Sequence, residues 1–540
     1  MTKINPECPF DKESFDFFVA HNFYNSVCNS EPWQKEGKVS PYLNYLLNNN
    51  SLTIDFELLD PRVFEKVISQ PLQELFETVV NHLPLDEINH LSNQMVVSNF
   101  FKEGRPVSYY EQALIFVGKK ESFLNPQFYL CITEQGLDFG FRINKLKDFQ
   151  KLFPSLEDKT SQLFIYNFRK NFFYLLSAYK ESLYYNNFGD LEYFLNPRLK
   201  FRVFEHPQMM LDYFFNVSLS NQEVLQLTFQ KLSQKIAHRF IGFYPLVLLA
   251  TQEDPMPAII NFINKPLAEL SQNIRVEVEI LKKWIRAINR KKQAILQGPP
   301  GTGKTYLAKQ LGKHLIGGGD GFMELVQFHP AYCYEDFIQG IRPQANEHGQ
   351  LDYPVVLGRF LEFCKKAESC EDTCVLIIDE INRANLSSVF GELMYLLEYR
   401  DEKIPLAGSN ELFGIPENVR IIGTMNTADR SIALVDHALR RRFAFIELRP
   451  NYEILRRYHE REATDFPVDG LIATLQRVNQ VIDDPDYELG ISFFMLPDLA
   501  DQIEDVWRME IEPYLEEYFF DQRDKLEPFR WEAIAQTILP

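Results

Sequence analysis

The sequence predicts a doubly wound α/β nucleotide-binding domain with a helical C-terminal part, preceded by a region of mixed α and β structure. From Ile274 onward, a helix, a short strand, a glycine-rich loop and another helix follow one another, which is the alternation typical of that fold. Two further apolar strands end in polar residues at Asp379 and Asn426, and such strand ends form the ligand-binding edge of a parallel sheet. After about Pro450 the strand-like runs stop, and the remaining apolar residues recur at helical spacing.

Length and composition indicate a protein of two or three domains. The chain has 540 residues, more than one hydrophobic core usually covers, and 45% of them are hydrophobic and 24% charged. The net charge of −19 argues against a protein that coats nucleic acid with its whole surface, although a local basic groove remains compatible with it. The apolar runs are too short to span a bilayer and the first residues lack an apolar signal core, so we expect a cytoplasmic protein without a membrane segment. Cys364, Cys370 and Cys374 come nearest to a metal cluster, but a fourth ligand for zinc is missing.

The first half of the chain predicts mixed α and β structure. Ala113–Val117 and Gln127–Thr133 are predicted strands, and Gly136 and Gly140 follow the second one as turn or bulge positions. Ser161–Tyr185 carries apolar residues at helical spacing and predicts a long amphipathic helix.

A group of prolines marks the predicted end of this first region, because they interrupt the preceding patterns. They are Pro255, Pro257 and Pro266. We therefore predict a first domain at residues 1–265, an α/β nucleotide-binding domain at residues 266–448 and a helical lid at residues 449–540.

A glycine-rich loop between a strand and a helix predicts a phosphate-binding site. Gln293–Gln297 forms the predicted strand, and the next eight residues match the pattern G-x-x-x-x-G-K-[ST]. The glycines let the backbone wrap close to phosphates and point its N–H groups inward, and the helix N-terminus adds partial positive charge. Lys304 supplies a point charge to the terminal phosphates, and the Thr305 hydroxyl is an expected Mg²⁺ ligand. The predicted nucleotide-binding residues are Gly298, Pro299, Pro300, Gly301, Thr302, Gly303, Lys304 and Thr305, together with Asp379.

Two later strands end in side chains suited to nucleotide hydrolysis. The strand that starts at Cys374 leads to two carboxylates, of which Asp379 would hold Mg²⁺ through water and Glu380 would polarise the attacking water. The strand that starts at Val419 ends at Asn426, which is placed to orient that water, a role often called sensor 1. Each feature is common by itself, but together with the phosphate loop they predict a nucleoside triphosphatase.

Three consecutive arginines follow at the end of a predicted helix. Arg440, Arg441 and Arg442 cannot all face one partner. In a ring-shaped ATPase, one or two such arginines reach the γ-phosphate in the neighbouring subunit and neutralise charge in the transition state. A basic surface turn is the alternative interpretation.

Several segments together resemble the McrB branch of the AAA+ proteins, and they lie between about residues 280 and 525. The resemblance implies an AAA+ P-loop NTPase domain of α/β type with a helical lid, preceded by a mixed α+β N-terminal domain. The matching segments are Phe328–Pro330, Tyr334–Phe337, Gly340–Pro343, Asp379–Asn385, Phe390–Leu393, Met425–Ser431, Ala438–Phe443 and Glu512–Asp521.

The resemblance also implies how such a protein works. It implies a hexameric ring that uses Mg²⁺ and hydrolyses GTP rather than ATP, although the phosphate loop itself ignores the base. It implies two partners, namely modified or foreign DNA and a separate McrC-like nuclease subunit, within a restriction system that defends against phage. It places Asp429 with Asn426 in the family's signature motif, and it puts Asn382 and Arg383 next to the catalytic Glu380. The three arginines fall on the family's trans-acting positions.

Two departures limit this resemblance, and two other functions remain open. Ile491 stands where the family's lid motif leads us to expect a histidine, and residues 1–265 do not resemble the family's modified-cytosine reader. A MoxR-like ATPase that remodels proteins would share the same phosphate chemistry. A sensor that binds nucleotide without turnover is the other alternative, and Glu380 and Asn426 argue against it.

The N-terminal half is the candidate DNA-targeting module. Its many aromatic residues could line a pocket for an extruded base, although their helical spacing favours a role in the core. Arg198, Lys200 and Arg202 alternate on the predicted strand Leu199–Phe204, where they either meet phosphates or form an exposed face. Glu157–Lys159 has an acid and a lysine at nuclease-like spacing but no flanking strand, so we expect cleavage to reside in another polypeptide.

Overall fold

The computed structural model describes most of the C-terminal half of the chain and several segments of the N-terminal half. The chain forms two compact units, Met1–Lys265 and Pro266–Pro540. The predicted helix Ser161–Tyr185, the predicted strand Leu199–Phe204 and the segment Glu157–Lys159 lie outside the described residues. The described residues are 70–82, 93–94, 101–102, 105–106, 116–117, 126–133, 136–143, 214–251, 254–345, 351–407, 412–429, 437–464 and 466–539.

An antiparallel sheet organises the described part of the first unit. The strand predicted at Gln127–Thr133 is confirmed, and the last two residues of the one predicted at Ala113–Val117 pair beside it. Gly136 opens the next strand with a φ of 147°, but Gly140 lies inside that strand, so its predicted turn position is wrong. In spatial order the strands are Asn93–Gln94, Phe116–Val117, β1 (Pro126–Thr133), β2 (Gly136–Ile143) and β3 (Phe214–Ser220).

Helices cover this sheet and supply its apolar packing. Phe240 stacks on Phe128 of β1 with ring centroids 4.6 Å apart, and both side chains are fully buried. Ser220 caps the helix that follows β3 by accepting a hydrogen bond from the Glu223 N–H, which satisfies one of the free donors at a helix start. The helices are α1 (Gln70–His82), α2 (Asn221–Gln226) and α3 (Phe229–Thr251), and a small hairpin pairs Phe101–Lys102 with Arg105–Pro106.

A regular helix, α4 (Met256–Ile274), runs through two of the prolines that were expected to interrupt the chain. Pro257 lies in its first turn, where a missing N–H costs nothing because no carbonyl precedes it in the helix. Pro266 lies inside the helix, which tolerates it at the cost of one hydrogen bond. The predicted interruption at Pro257 and Pro266 is therefore wrong, although the division between the two units falls at Lys265 and Pro266, within α4.

A parallel sheet of five strands forms the centre of the second unit, and it confirms the predicted doubly wound α/β fold. Its inner strands are buried almost throughout, as expected for strands covered on both faces. In spatial order the strands are β8 (Ala444–Glu447), β4 (Gln293–Gly298), β7 (Val419–Asn426), β6 (Cys374–Asp379) and β5 (Met323–Gln327).

Helices and three small hairpins surround this sheet. The helices are α5 (Val278–Lys291), α6 (Lys304–Ile316), α7 (Arg359–Ala367), α8 (Leu386–Phe390), α9 (Leu393–Glu398) and α10 (His437–Arg442), with single turns at Tyr334–Phe337 and Ile381–Arg383. The hairpins pair Gln339–Ile341 with Val355–Leu357, Gln344–Ala345 with Leu351–Asp352, and Ile404–Pro405 with Leu412–Phe413.

The lid is helical, as predicted, and has a core of its own. Trp507 is fully buried at its centre, and the indole Nε1–H donates to the Phe529 carbonyl at 2.8 Å. The helical chain from Leu499 to Tyr518 contains a π-helical turn at Trp507–Ile511. The lid elements are α11 (Tyr452–Arg461), α12 (Val468–Ile482), α13 (Leu499–Val506), α14 (Glu512–Tyr518) and α15 (Trp531–Ile538), with 3-10 turns at Ser492–Phe494, Arg523–Lys525 and Glu527–Phe529.

Two kinds of feature are absent from the described ranges. Within them, no helix combines the length and the apolar character needed to cross a membrane. The same residues contain no cluster of three or more His, Cys, Asp or Glu side chains placed to hold a metal ion.

Candidate nucleotide-binding site

The loop between β4 and α6 has the backbone conformation that phosphate binding requires. Gly301 and Gly303 have φ values of 78° and 77°, a region that residues with a Cβ rarely adopt. Gly298 has no room for a side chain, since a Cβ there would lie 2.4 Å from the carbonyl oxygen of Leu448. Because α6 begins at Lys304, directly after the loop, the free N–H groups of its first turn lie at the loop.

Lys304 lies partly buried within this loop. Its Nζ donates to the carbonyl oxygens of Gly298 at 3.0 Å and Pro299 at 2.8 Å. Burial away from water lowers the pKa of Lys304 from 10.5 to about 8, and the nearby carboxylates of Glu380 and Asp379 only partly oppose that shift. A phosphate in the loop would provide the anionic partner that stabilises the charged form of this lysine.

A hydroxyl–carboxylate cluster joins the phosphate loop to the two neighbouring strands. Thr305 Oγ1 donates to Asp379 Oδ1 at 2.7 Å, and Thr424 Oγ1 donates to the same oxygen at 2.6 Å. The Glu380 N–H donates to Thr424 Oγ1 at 3.1 Å, so Thr424 fixes both carboxylate residues at the end of β6. The role of Thr424 was not predicted, although a hydroxyl residue within an apolar strand, two residues before Asn426, was the available signal.

Arg383 connects two of the predicted catalytic carboxylates. Glu380 follows β6 with a φ of 53°, in the left-handed region that non-glycine residues seldom occupy. Its Oε2 lies 3.4 Å from Arg383 Nε, and Arg383 Nη2 donates to Asp429 Oδ2 at 3.3 Å. Arg383 therefore holds the carboxylates of Glu380 and Asp429 at the same edge of the sheet.

Asn426 ends β7 directly opposite Gly298 of β4, as the parallel register requires. The Asn426 side-chain oxygen accepts a hydrogen bond from the Ala428 N–H at 3.3 Å, and its carbonyl accepts one from Asn382 Nδ2 at 3.3 Å. Asn382 is buried, and its Oδ1 has no hydrogen-bond partner within the described part of the chain. The structure thus brings Asn426 beside the phosphate loop and uses Asn382 to position it.

The three arginines at the end of α10 have different surroundings. Arg442 is 18% exposed and contacts one carboxylate oxygen of Glu398 at 3.3 Å. Arg441 is 75% exposed and contacts the other oxygen of Glu398 at 2.5 Å. Arg440 is exposed, and its guanidinium lies over the Phe445 ring at 5.7 Å from the centroid. Arg440 and Arg441 are accessible to a second molecule, whereas Arg442 is held within the domain.

A cavity of about 860 Å³ lies beside the phosphate loop, between the segment around α5 and the lid. Its size is in the range of small-molecule and cofactor sites. Gly301, Thr302 and Gly303 form one wall of this cavity. Apolar and aromatic side chains line most of the rest. The polar side chains among them include Asn273, Arg275, Glu277, Asn451, Glu453 and Gln476.

The strand order, the phosphate loop and the carboxylate edge define an AAA-type nucleotide-binding domain with a helical lid. Comparison with known families agrees: residues 293–443 match the family described as AAA domain (dynein-related subfamily). Residues 470–527 match the family described as McrB, alpha-helical lid domain, so the resemblance predicted from the sequence motifs is confirmed for this part of the chain.

Two curated proteins are similar to the chain. It is 42% identical over 262 residues to the Type IV methyl-directed restriction enzyme EcoKMcrB subunit of Escherichia coli (strain K12), a match that covers 44% of this chain and 56% of the relative. It is 30% identical over 224 residues to the Type II restriction enzyme BsuMI component YdiS of Bacillus subtilis (strain 168), which covers 34% of this chain and 64% of the relative. The chain thus spans less than two thirds of the length of either relative.

Proposed function

We propose that the chain is a nucleoside triphosphatase that acts as the motor subunit of a McrB-like restriction system. The observation that carries this proposal is the convergence of Lys304, Thr305, Asp379 and Glu380 at one edge of the sheet, next to an open cavity. The match of residues 470–527 to a McrB lid supports this function over that of a MoxR-like ATPase that remodels proteins.

Each residue at this edge has a defined part in the proposed hydrolysis. The N–H groups of the loop and the Lys304 ammonium bind the phosphates of the nucleotide. Thr305 and Asp379 present oxygen ligands 2.7 Å apart, a hard donor set that suits Mg²⁺, and bound Mg²⁺ neutralises phosphate charge. Glu380 accepts a proton from the attacking water, and Asn426 orients that water through its amide.

The remaining predicted residues support those that touch the nucleotide. Arg383 holds Glu380 and Asp429 in place through its two contacts, and Asn382 holds the end of β7. These residues act as positioning residues, because the groups they contact belong to the protein.

We further propose a homo-oligomeric ring, hexameric by resemblance, in which an arginine of one subunit completes the site of the next. The exposure of Arg440 and Arg441 supports either of them for this role. Arg442 instead braces the end of α10 through Glu398, since its side chain is largely buried. An arginine that reaches the γ-phosphate neutralises charge that develops during phosphoryl transfer.

GTP is the proposed substrate, and the cavity beside the loop is the proposed site for its base. A phosphate loop does not contact the base, so the choice between GTP and ATP depends on the cavity walls. Glu277 lines that cavity, and its carboxylate can accept hydrogen bonds from the N1–H and the amino group of guanine. Adenine has no N1–H, which supports a preference for GTP.

DNA targeting and DNA cleavage are assigned in this proposal to other parts of the system. Residues 1–265 direct the motor to modified or foreign DNA, and a McrC-like nuclease subunit cuts it. The E. coli relative is named as a subunit of a methyl-directed restriction enzyme, which supports partners of this kind.

The test is nucleotide turnover by the full-length chain, with GTP and ATP side by side and with and without the product of the neighbouring gene. We expect kcat/KM for GTP to exceed that for ATP at least about tenfold, and the partner to increase turnover. Lys304→Ala should hydrolyse neither nucleotide, because the loop loses its mobile positive charge. Equal efficiency with both nucleotides would exclude the preference for GTP, and absence of turnover with either would refute the proposed function.

A further inference from the structure

Two backbone carbonyl groups of the phosphate loop accept hydrogen bonds from backbone N–H groups of the lid. The Gly490 N–H donates to the Pro300 carbonyl at 3.0 Å, and the Ser492 N–H donates to the Gly301 carbonyl at 2.9 Å. We call residues Gly490–Phe494 the lid strap. The lid is therefore attached to the loop by main-chain hydrogen bonds, which do not depend on the identity of a side chain.

Side chains of the lid helices hold the strap from both of its ends. Asn479 of α12 donates to the Leu489 carbonyl at 3.1 Å and accepts from the Leu489 N–H at 2.7 Å, directly before the strap begins. A nitrogen of the buried His459 ring lies 3.0 Å from the carbonyl oxygen of Phe494, at the other end. The Ile491 side chain is 5% exposed in the lid core. The strap is therefore fixed relative to the lid helices.

Backbone approaches backbone so closely here that only glycine fits on the lid side. A Cβ on Gly490 would lie 2.0 Å from the carbonyl carbon of Gly301 and 2.5 Å from the Pro300 oxygen. A Cβ on Gly301 would lie 2.4 Å from the Phe493 ring. A methyl group at Gly490 must therefore push the strap away from the loop.

The geometry of the peptide bond links this contact to phosphate binding. In a trans peptide the C=O and the following N–H point in opposite directions. When the carbonyls of Pro300 and Gly301 are bonded to the strap, the N–H groups of Gly301 and Thr302 are turned away from the lid contact. These are loop donors of the kind that bind phosphate.

We propose that the lid acts on the nucleotide through the backbone of the phosphate loop, with Gly490 and Asn479 as positioning residues that keep the loop N–H groups aimed at the phosphates. This inference rests on the proposed nucleotide hydrolysis and adds a specific route from the lid to it. The same route explains how the lid influences nucleotide binding although Ile491 stands where the family's lid motif has a histidine.

The test compares Gly490→Ala with Gly470→Ala, a matched change in the same lid. A Cβ on Gly470 would lie 2.0 Å from the Thr537 carbonyl oxygen, so it disturbs lid packing without touching the loop. We expect Gly490→Ala to raise KM at least about tenfold and to lower kcat less than about threefold, because Lys304, Thr305 and Glu380 are unchanged. A purely structural defect reduces the active fraction and lowers kcat at constant KM, which is the result expected for Gly470→Ala.

A KM for Gly490→Ala within threefold of wild type, or an equal rise in KM for Gly470→Ala, would overturn the inference. Hydrogen exchange of the wild-type chain tests it without a variant, in case Gly490→Ala does not fold. Bound nucleotide should slow hydrogen exchange of the Gly490 and Ser492 amides at least about fivefold. The reason is that nucleotide fixes the phosphate loop, whose carbonyl groups accept the hydrogen bonds of these two amides. An unchanged exchange rate contradicts the inference, whereas a wild-type chain that binds nucleotide without turnover refutes only the proposed hydrolysis.

Discussion

The pKa of Lys304 predicts that nucleotide affinity falls as the pH rises above neutrality. In the nucleotide-free site, burial lowers the pKa of this lysine to about 8. A bound triphosphate stabilises the ammonium and restores a pKa near or above about 10.5. Between these two pKa values, the nucleotide-bound protein therefore holds more protons than the free protein. Nucleotide binding takes up a proton in this pH range, and the affinity falls as the pH rises.

The size of this effect follows from the two pKa values. At pH 7.5 most Lys304 side chains are charged in the free protein, whereas at pH 9.5 only a few per cent remain so, which weakens nucleotide affinity about 20-fold. The phosphates of the nucleotide are already ionised over this range and contribute little to the change. Isothermal titration calorimetry at several pH values, in buffers of different ionisation enthalpy, measures both the affinity and the proton uptake.

Lys304→Arg is the matched control for this pH dependence. A guanidinium stays charged over the whole range, so any pH dependence that this variant retains comes from other groups, such as the guanine N1–H. Its affinity should therefore fall much less with rising pH than that of the wild type, whatever its absolute value. A change of less than threefold in the wild-type affinity between pH 7.5 and 9.5 would refute the argument. So would the same pH dependence in Lys304→Arg, because the titrating group would then be another one.

Two further predictions concern the hydrolytic base and the division of labour in the chain. Glu380→Gln should bind nucleotide normally in an equilibrium titration but hydrolyse it about 10²- to 10⁴-fold more slowly, since the amide cannot accept the proton; turnover at the wild-type rate would reassign the base. A chain that starts at Asp254, which keeps α4 whole, should still hydrolyse nucleotide and form a ring in light scattering, but it should lose selective DNA binding in gel-shift assays. Retention of that selectivity would place the DNA reader in the second unit.

The parts of the fold and site that the sequence predicted are those with local signals. The phosphate loop, the strand before it and the helix after it are consecutive in the chain, so one motif specifies all three. The strands that end at Asp379 and Asn426 are short apolar runs, and a parallel sheet brings their carboxyl ends to one edge.

The features that the sequence did not predict depend on contacts between distant residues. Thr424 gains its role only because β7 lies next to β6, where its hydroxyl meets Asp379. The lid strap is separated from the phosphate loop by almost 190 residues, and backbone hydrogen bonds leave no side-chain motif. The sequence predicts a break at Pro266 because a proline removes one helical hydrogen bond, yet the remaining bonds of α4 tolerate that loss. The sequence predicts a turn or bulge at Gly140, but pairing on both sides of β2 keeps it extended.

The central claim is that each catalytic site contains Lys304 and Glu380 from one subunit and an arginine from the next. It is tested most directly by mixing two inactive chains, Lys304→Ala and Arg441→Ala, and measuring nucleotide hydrolysis. Each chain by itself should lose about 10³-fold or more of the activity, the range typical of arginine fingers.

In an equal mixture, about a quarter of the interfaces pair an intact phosphate loop with an intact arginine, so a corresponding fraction of the activity should return. The same mixture with Arg440→Ala identifies which exposed arginine acts. Arg442→Ala should also be complemented, because the Lys304→Ala chain keeps an intact Arg442–Glu398 contact at the end of α10. If no mixture regains activity, although light scattering shows that mixed rings form, the arginines act within their own subunit and the claim of a shared site is wrong.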